Sequence, residues 1–384
     1  MKKFLSILSA ILFVVISITY VLDFRIPLLY PEVIKVRSIL QFILYGYLII
    51  SFFTYKIKFS KLEIIIVGLL TIFLMKDMFL TSVGLYTLQQ SSLKLEFQFI
   101  INTIGTMVLL KQGLQKQIYT IYFYSGIILL IISVLSYQFL NYEIVNYNTI
   151  FFMIFVYLIV AIKNKLFLVG MLIPFTFISN YFGARNIIAL VLVYILFQLI
   201  LRSRKSLNAL LLIFLQSLTM YAVIFNNQYV DKLDEILTRR VYIWKYYFSL
   251  MTENPINIIV GRGITQREDM LYLGDLWGTL RAYHQHNTYV TYFYENGILG
   301  LILIGIIVYV VIKGKNEFYT IFFLISVYLI EETIHIGDLN VMSALFLISF
   351  LNAININNPL KNNRRNEITN AKGKNPFFRT KKIL

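Results

Sequence analysis

The chain has 384 residues, of which 58% are apolar and only 14% charged, and its mean hydropathy is +0.72. That balance excludes an ordinary water-soluble domain and makes the bilayer the solvent. A formal charge of +16 raises nucleic acid as a partner, but the basic residues sit between hydrophobic runs and in the C-terminal tail, which argues for a membrane surface instead.

In chain order, the apolar runs predict an all-α integral membrane protein of about 12 transmembrane helices. They lie near residues 4–22, 37–55, 62–80, 94–110, 118–139, 148–162, 166–182, 186–201, 206–225, 287–312, 318–334 and 339–354. The first follows Lys2 and Lys3 and has no small-residue cleavage site behind it, so it reads as a retained helix. Basic residues then alternate between loops. Lys56, Lys58, Lys61, Lys111, Lys116, Lys163, Lys165, Arg202, Arg204, Lys205, Lys313, Lys315 and the tail fall on one side. The positive-inside rule puts that side, and both termini, in the cytoplasm. The segment 23–36, with Arg25 and Lys35, runs against the pattern. With no cysteine, neither disulfides, thiolate metal sites nor a thiol nucleophile are available.

The expected organisation is transmembrane helices 1–9 over 1–225, an extracytoplasmic loop with amphipathic helices over 226–286, helices 10–12 over 287–354, and a basic disordered cytoplasmic tail over 355–384. In the loop, acidic residues match the basic ones (Lys232, Arg239, Arg240, Lys245, Arg262, Arg267, Arg281) one for one. Its stretch DEILTRRVYIWKYYFSLMTENP predicts a helix capped by Thr238, with Ile236, Arg240, Ile243, Trp244, Tyr247 and Leu250 on a face lying in the membrane interface, and ended by Pro255. The following IIVGRGI reads as a short β-like run whose glycines let the backbone approach a neighbour.

Several ionisable residues gather on the outer side: Arg185, Arg240, Arg262, His284 and His286. An arginine at a helix end is often only an interfacial anchor. Several together, without a His/Cys cluster or carboxylate quartet for a metal, suit a phosphate or pyrophosphate that guanidinium groups grip bidentately. In HQHNTYVTYFYENGILG, Asn287 or Thr288 can cap the tenth helix. Thr288, Thr291 and Glu295 then share one face and His286 points away, so a His–Glu dyad is not implied. Glu295 lies roughly 10–12 Å below the helix start. It needs a wet cavity or a hydrogen-bonding partner there. Gly297 and Gly300 read as sites of close helix packing. Lys76 and Asp77 in the third span either pair with neighbours or line a conduction path, and Glu331, Glu332 and His335 decorate a short outer turn.

Three local patterns carry a resemblance: GARN at Arg185, RVYIW at Arg240 followed by ENPINIIVGRG, and HNTYVTYFYENGILG. With the late, large outer loop, the chain resembles the O-antigen ligase and Wzy-type polysaccharide polymerase family of GT-C-like membrane glycosyltransferases. The resemblance implies inverting, metal-independent and cofactor-free glycosyl transfer at the outer leaflet of the cytoplasmic membrane. The donor is a glycan on undecaprenyl pyrophosphate. Arg185, Arg240 and Arg262 hold the pyrophosphate, His286 accepts the acceptor hydroxyl proton, and Glu295 orients groups around it; Arg281 and His284 are further candidates. A flippase and a chain-length regulator are the expected partners. A composition rich in Lys, Asn and Ile suggests a low-GC genome without lipid A, which favours a capsular or exopolysaccharide polymerase over a ligase. A lipid-linked oligosaccharide transporter and an assembly protein without chemistry are the rival classes. The transporter expects polar residues across paired halves at mid-bilayer, and Lys76 with Asp77 keeps it open.

Overall fold

The computed structural model describes residues 2–23, 30–84, 90–140, 147–196, 204–225, 228–237, 240–263, 271–272, 281–282, 287–314, 319–330 and 340–354. The chain is built almost wholly of helices. They are α1 (Lys2–Asp23), α2 (Tyr30–Thr54), α3 (Lys61–Ser82), α4 (Gln90–Lys111), α5 (Gln115–Leu140), α6 (Tyr147–Ala161), α7 (Lys165–Tyr181), α8 (Arg185–Val193), α9 (Lys205–Ile224), α10 (Gln228–Ile236), α11 (Arg240–Thr252), α12 (Pro255–Val260), α13 (Thr288–Asn296), α14 (Ile298–Lys313), α15 (Tyr319–Tyr328) and α16 (Val341–Ile354). A two-residue antiparallel pairing joins β1 (Leu271–Tyr272) to β2 (Arg281–Ala282). Every predicted apolar run is helical over most of its described length.

Four of the helices are long and apolar enough to cross a membrane: Val33–Thr54, Lys61–Ser82, Gln115–Phe139 and Lys205–Ile224. Seven shorter apolar helices accompany them among the described residues. A helix satisfies its own backbone polar groups, which is what a hydrocarbon surrounding demands. The outward faces fit that surrounding. Phe42 and Phe53 of α2 and Leu166 of α7 are 80%, 71% and 85% exposed. Facing inward, α16 is the centre of the bundle, packed on α1, α4, α14 and α15 with every residue but Met342 buried.

Local sequence fixes several helix ends. Ser60 and Glu63 form a reciprocal capping box at the start of α3, and Asn164 caps α7. Gly183, at φ +75°, makes the turn from α7 to α8. Helix α3 runs antiparallel to α4, since Glu63 at the start of one meets Lys111 at the end of the other at 2.9 Å. Likewise α9 opposes α14: the Lys205 ammonium donates to the Gly314 carbonyl, and Asn208 donates to the Tyr319 hydroxyl at 3.0 Å.

Candidate functional site

The expectation of one helix over 287–312 fails at Gly297. Asn287 starts α13, its Oδ1 accepting from the amides of Tyr289 and Val290. After the nine residues of α13 the chain turns at Gly297, with φ +56°, and resumes as α14. The carbonyls of Tyr294 and Glu295, which a continuous helix would bond to its own next turn, accept instead from the amides of Arg262 (2.8 Å) and Gly263 (3.1 Å). The loop segment 255–263 therefore fills the break.

That contact explains its glycines. A Cβ on Gly261 would stand 2.2 Å from the Glu295 carbonyl oxygen, and one on Gly297 would stand 2.6 Å from the carbonyl of Ile258. What Gly297 admits is segment 255–263, where close packing of whole spans was expected. Gly300 meets the carbonyl of Tyr292 in the preceding half-helix. The expectation of a β-like run at IIVGRGI is also corrected. Asn254 caps the amide of Ile256 and Pro255 occupies the first turn, so 255–260 is a short helix, and 261–263 follow it without regular structure, Gly261 and Gly263 at φ +82° and +76°.

The ammonium of Lys76, from the middle of α3, reaches this junction. It donates to the carbonyls of Val260 and Glu295, both at 2.9 Å, and to Oδ1 of Asn296 at 3.2 Å. A cation thus sits on the carbonyl ends of two helices, α12 and α13, where the partial negative charge of each is concentrated. Lys76 also pairs with Asp77 at 2.8 Å, their side chains 9% and 1% exposed. Glu96 of α4, which packs on α3, is also buried, at 4% exposed. Glu295 is itself buried, on one face with the buried Thr288 and Thr291. Of these groups Glu96 was not singled out in the sequence. The available signal was a carboxylate inside an apolar run, LKLEFQFI, which carries a high cost in a bilayer unless paired.

The loop helices also depart from expectation. Trp244 and Tyr247 of α11 are buried inside the protein, where an interfacial face was expected. Trp244 and Val241 pack with Ala222 and Val223 of α9 and with Val230 of α10; Ile243, Tyr247 and Met251 pack with Tyr294 of α13. The aromatic stripe docks the loop onto the bundle. Asp234 of α10 accepts from the amide of Tyr242 in the first turn of α11 at 3.0 Å, placing an anion at that helix start.

Arg240 is the first residue of α11 and half-buried; Arg185 is the first residue of α8 and exposed. Each guanidinium adds to the positive end of a helix dipole, and the start of α8 has no side-chain cap. The structure does not bring the two into one contact layer: α8 packs on α6, α7 and α15, whereas α11 packs on α9, α10, α12 and α13. Arg262 donates to Glu253 at 3.2 Å and to the Leu250 carbonyl at 3.3 Å, bracing α11 against α12. His284, His286 and Thr238, the turn with Glu331, Glu332 and His335, and the tail from 355 lie outside the described residues, as does the side chain of Arg281.

A cleft of about 710 Å³ opens between α5, α6 and the end of α7, its lining ending at Phe182, three residues before Arg185 in the chain. Val134, Tyr137, Gln138, Tyr147, Tyr181 and Phe182 line it. Phenol rings and one amide suit a polyhydroxylated ring, which offers C–H faces for stacking and hydroxyls for hydrogen bonds. Comparison with family models, with characterised proteins and with solved structures finds no match to this chain.

Proposed function

We propose that this chain is a polysaccharide polymerase of the cytoplasmic membrane, joining repeat units carried on undecaprenyl pyrophosphate. In this reading the chain crosses the bilayer about twelve times, with both termini inside. The loop 226–286 is extracytoplasmic, and the ends of α3, α5 and α7 and the starts of α4, α6, α8 and α13 face outward. The observation that carries it is that Arg185 and Arg240 each stand at the first position of a helix, with an aromatic cleft at the end of α7, the helix that precedes Arg185. Guanidinium plus helix start is an anion-stabilising arrangement, and the cleft has the chemistry of a sugar subsite.

A hydroxyl of the acceptor sugar attacks the anomeric carbon while the bond from that carbon to the pyrophosphate oxygen breaks. The lipid pyrophosphate leaves with the bonding electrons, and its added charge is what Arg185 and Arg240 stabilise from two separate helix starts, Arg262 being turned to Glu253. His286 takes the hydroxyl proton, because its ordinary pKa lies near neutrality. Inversion follows from a single attack on the face opposite the leaving group. A family ligase would pass the same donor to a different acceptor.

One observation favours a second reading, a transporter of lipid-linked oligosaccharide: the broken helix with Lys76 on its carbonyl end is the kind of discontinuity from which transporters build binding sites. The lipid-linked glycans of a deletion strain separate the two. Single repeat units accumulating on the outer leaflet support polymerisation, units trapped on the inner leaflet support transport, and long unattached polymer supports ligation.

A further inference from the structure

Where α3 meets the break between α13 and α14, four oxygens surround one cation. The Val260 and Glu295 carbonyls accept from the Lys76 ammonium at 2.9 Å each, and Asn296 Oδ1 accepts at 3.2 Å. Those bonds use all three protons that an ammonium carries. Asp77 Oδ1 stands just as close, at 2.8 Å, yet it is buried and makes no hydrogen bond among the described residues. Charge alone holds it, and charge has no direction. The ammonium thus behaves as a sphere of positive charge in a shell of oxygens, which is how carbonyls hold a potassium ion.

The backbone break supplies the shell. A continuous helix would spend the Glu295 carbonyl on its own next turn, whereas the turn at Gly297 leaves it for Gly263 and Lys76. Carbonyls at the ends of interrupted membrane helices are recurrent cation ligands. Oxygens at 2.8–3.2 Å match an ammonium or the similarly sized potassium ion, while calcium draws its ligands to about 2.3–2.6 Å. No three His, Asp or Glu side chains converge on a metal among the described residues. Glu295 and Glu96 are also buried, on α13 and α4, but none of the four oxygens belongs to their side chains, so the shell does not depend on their protonation.

We propose that the break is a monovalent-cation site built from the Val260 and Glu295 carbonyls, Asn296 and Asp77, and that Lys76 fills it as a tethered ammonium in place of a free ion of that size. The tether keeps the site occupied, so segment 255–263 stays seated in the break without drawing an ion from solution. Lys76→Ala removes the stem and the ammonium together, a volume that a propylammonium ion fills and within which a potassium ion reaches the same oxygens. This inference goes beyond glycosyl transfer and stands whether the chain polymerises or transports.

The test uses the full chain in lipid nanodiscs, with no glycan present, in choline, potassium or propylammonium chloride at equal ionic strength. Amide hydrogen exchange reads segment 255–263. The wild type should exchange slowly and alike in all three salts. Lys76→Ala should exchange fast in choline and be slowed about tenfold by potassium or propylammonium, the effect of a ligand at about ten times its dissociation constant. Lys76→Met, whose stem still fills the space, should exchange fast in every salt. Exchange of Lys76→Ala that is the same in all three salts, or already slow in choline, overturns the site. A response of Lys76→Met to potassium equal to that of Lys76→Ala also overturns it, since the ion then acts elsewhere. So does a Lys76→Ala protein that cannot be recovered folded in any of the salts, because a bound ion should replace what the substitution removed.

Discussion

Lys76 and Lys111 are both buried lysines reaching a carboxylate across or along the α3–α4 pair, at 2.8 and 2.9 Å, yet they serve opposite kinds of site. Lys111 lies in the last turn of α4 and Glu63 in the first turn of α3, so each charge complements its own helix end and the count is one to one. Glu63 is further held by Ser60. At Lys76 nothing about its own helix explains the charge. The ammonium serves the ends of two other helices as well as its neighbour Asp77. A charge pair at its own helix ends is a staple, whereas a cation at a backbone break ties together segments far apart in the chain.

The contrast can be broken by substitution. Lys76→Met should have the largest effect, destabilising the folded protein by about 3–5 kcal/mol because it strands a buried carboxylate and two helix ends. Detergent-titration unfolding measures it, and a second change, Asp77→Leu, should fail to restore stability because the carbonyls of Val260 and Glu295 stay unserved. Gly297→Ala comes next, at about 1–3 kcal/mol for a strained left-handed residue. Its Cβ also meets the Ile258 and Ile259 carbonyls, so limited proteolysis should cut within 255–263. The Glu63–Lys111 pair should behave differently: Glu63→Leu with Lys111→Met is expected to remain within about 1 kcal/mol of the parent, since apolar replacement of both members of a buried pair is often neutral. Arg262→Ala should be the mildest for stability, about 0–1 kcal/mol, because its partner Glu253 is 58% exposed.

How much of this was legible in the sequence follows the range of the interactions. Apolar runs made the helices visible because hydropathy is local. Asn287 as a cap and the shared face of Thr288, Thr291 and Glu295 were equally local and readable. The break was not. TYVTYFYENGILGLILIGIIVYVV has one continuous apolar sense, and what interrupts it is a pair of amides, Arg262 and Gly263, donated from more than thirty residues upstream. The aromatic stripe of α11 was visible as a stripe, but its partner was not: a face of Trp244 and Tyr247 fits an interface or a protein core equally by composition. Lys76 and Asp77 were conspicuous as charges, while their meaning depended on the carbonyls of Val260 and Glu295 arriving from other helices.

The central claim is the transfer reaction, and reconstitution tests it most directly. The purified chain in liposomes, given a polyprenyl-pyrophosphate-linked repeat unit on the outer leaflet, should produce lipid-linked dimers and longer polymer and release one polyprenyl pyrophosphate per bond formed. Arg185→Ala and Arg240→Ala should each lower that rate by about 10²–10³-fold while remaining folded. Repeat units that cross the bilayer without elongation, or polymer formed undiminished by both arginine variants, would contradict the account.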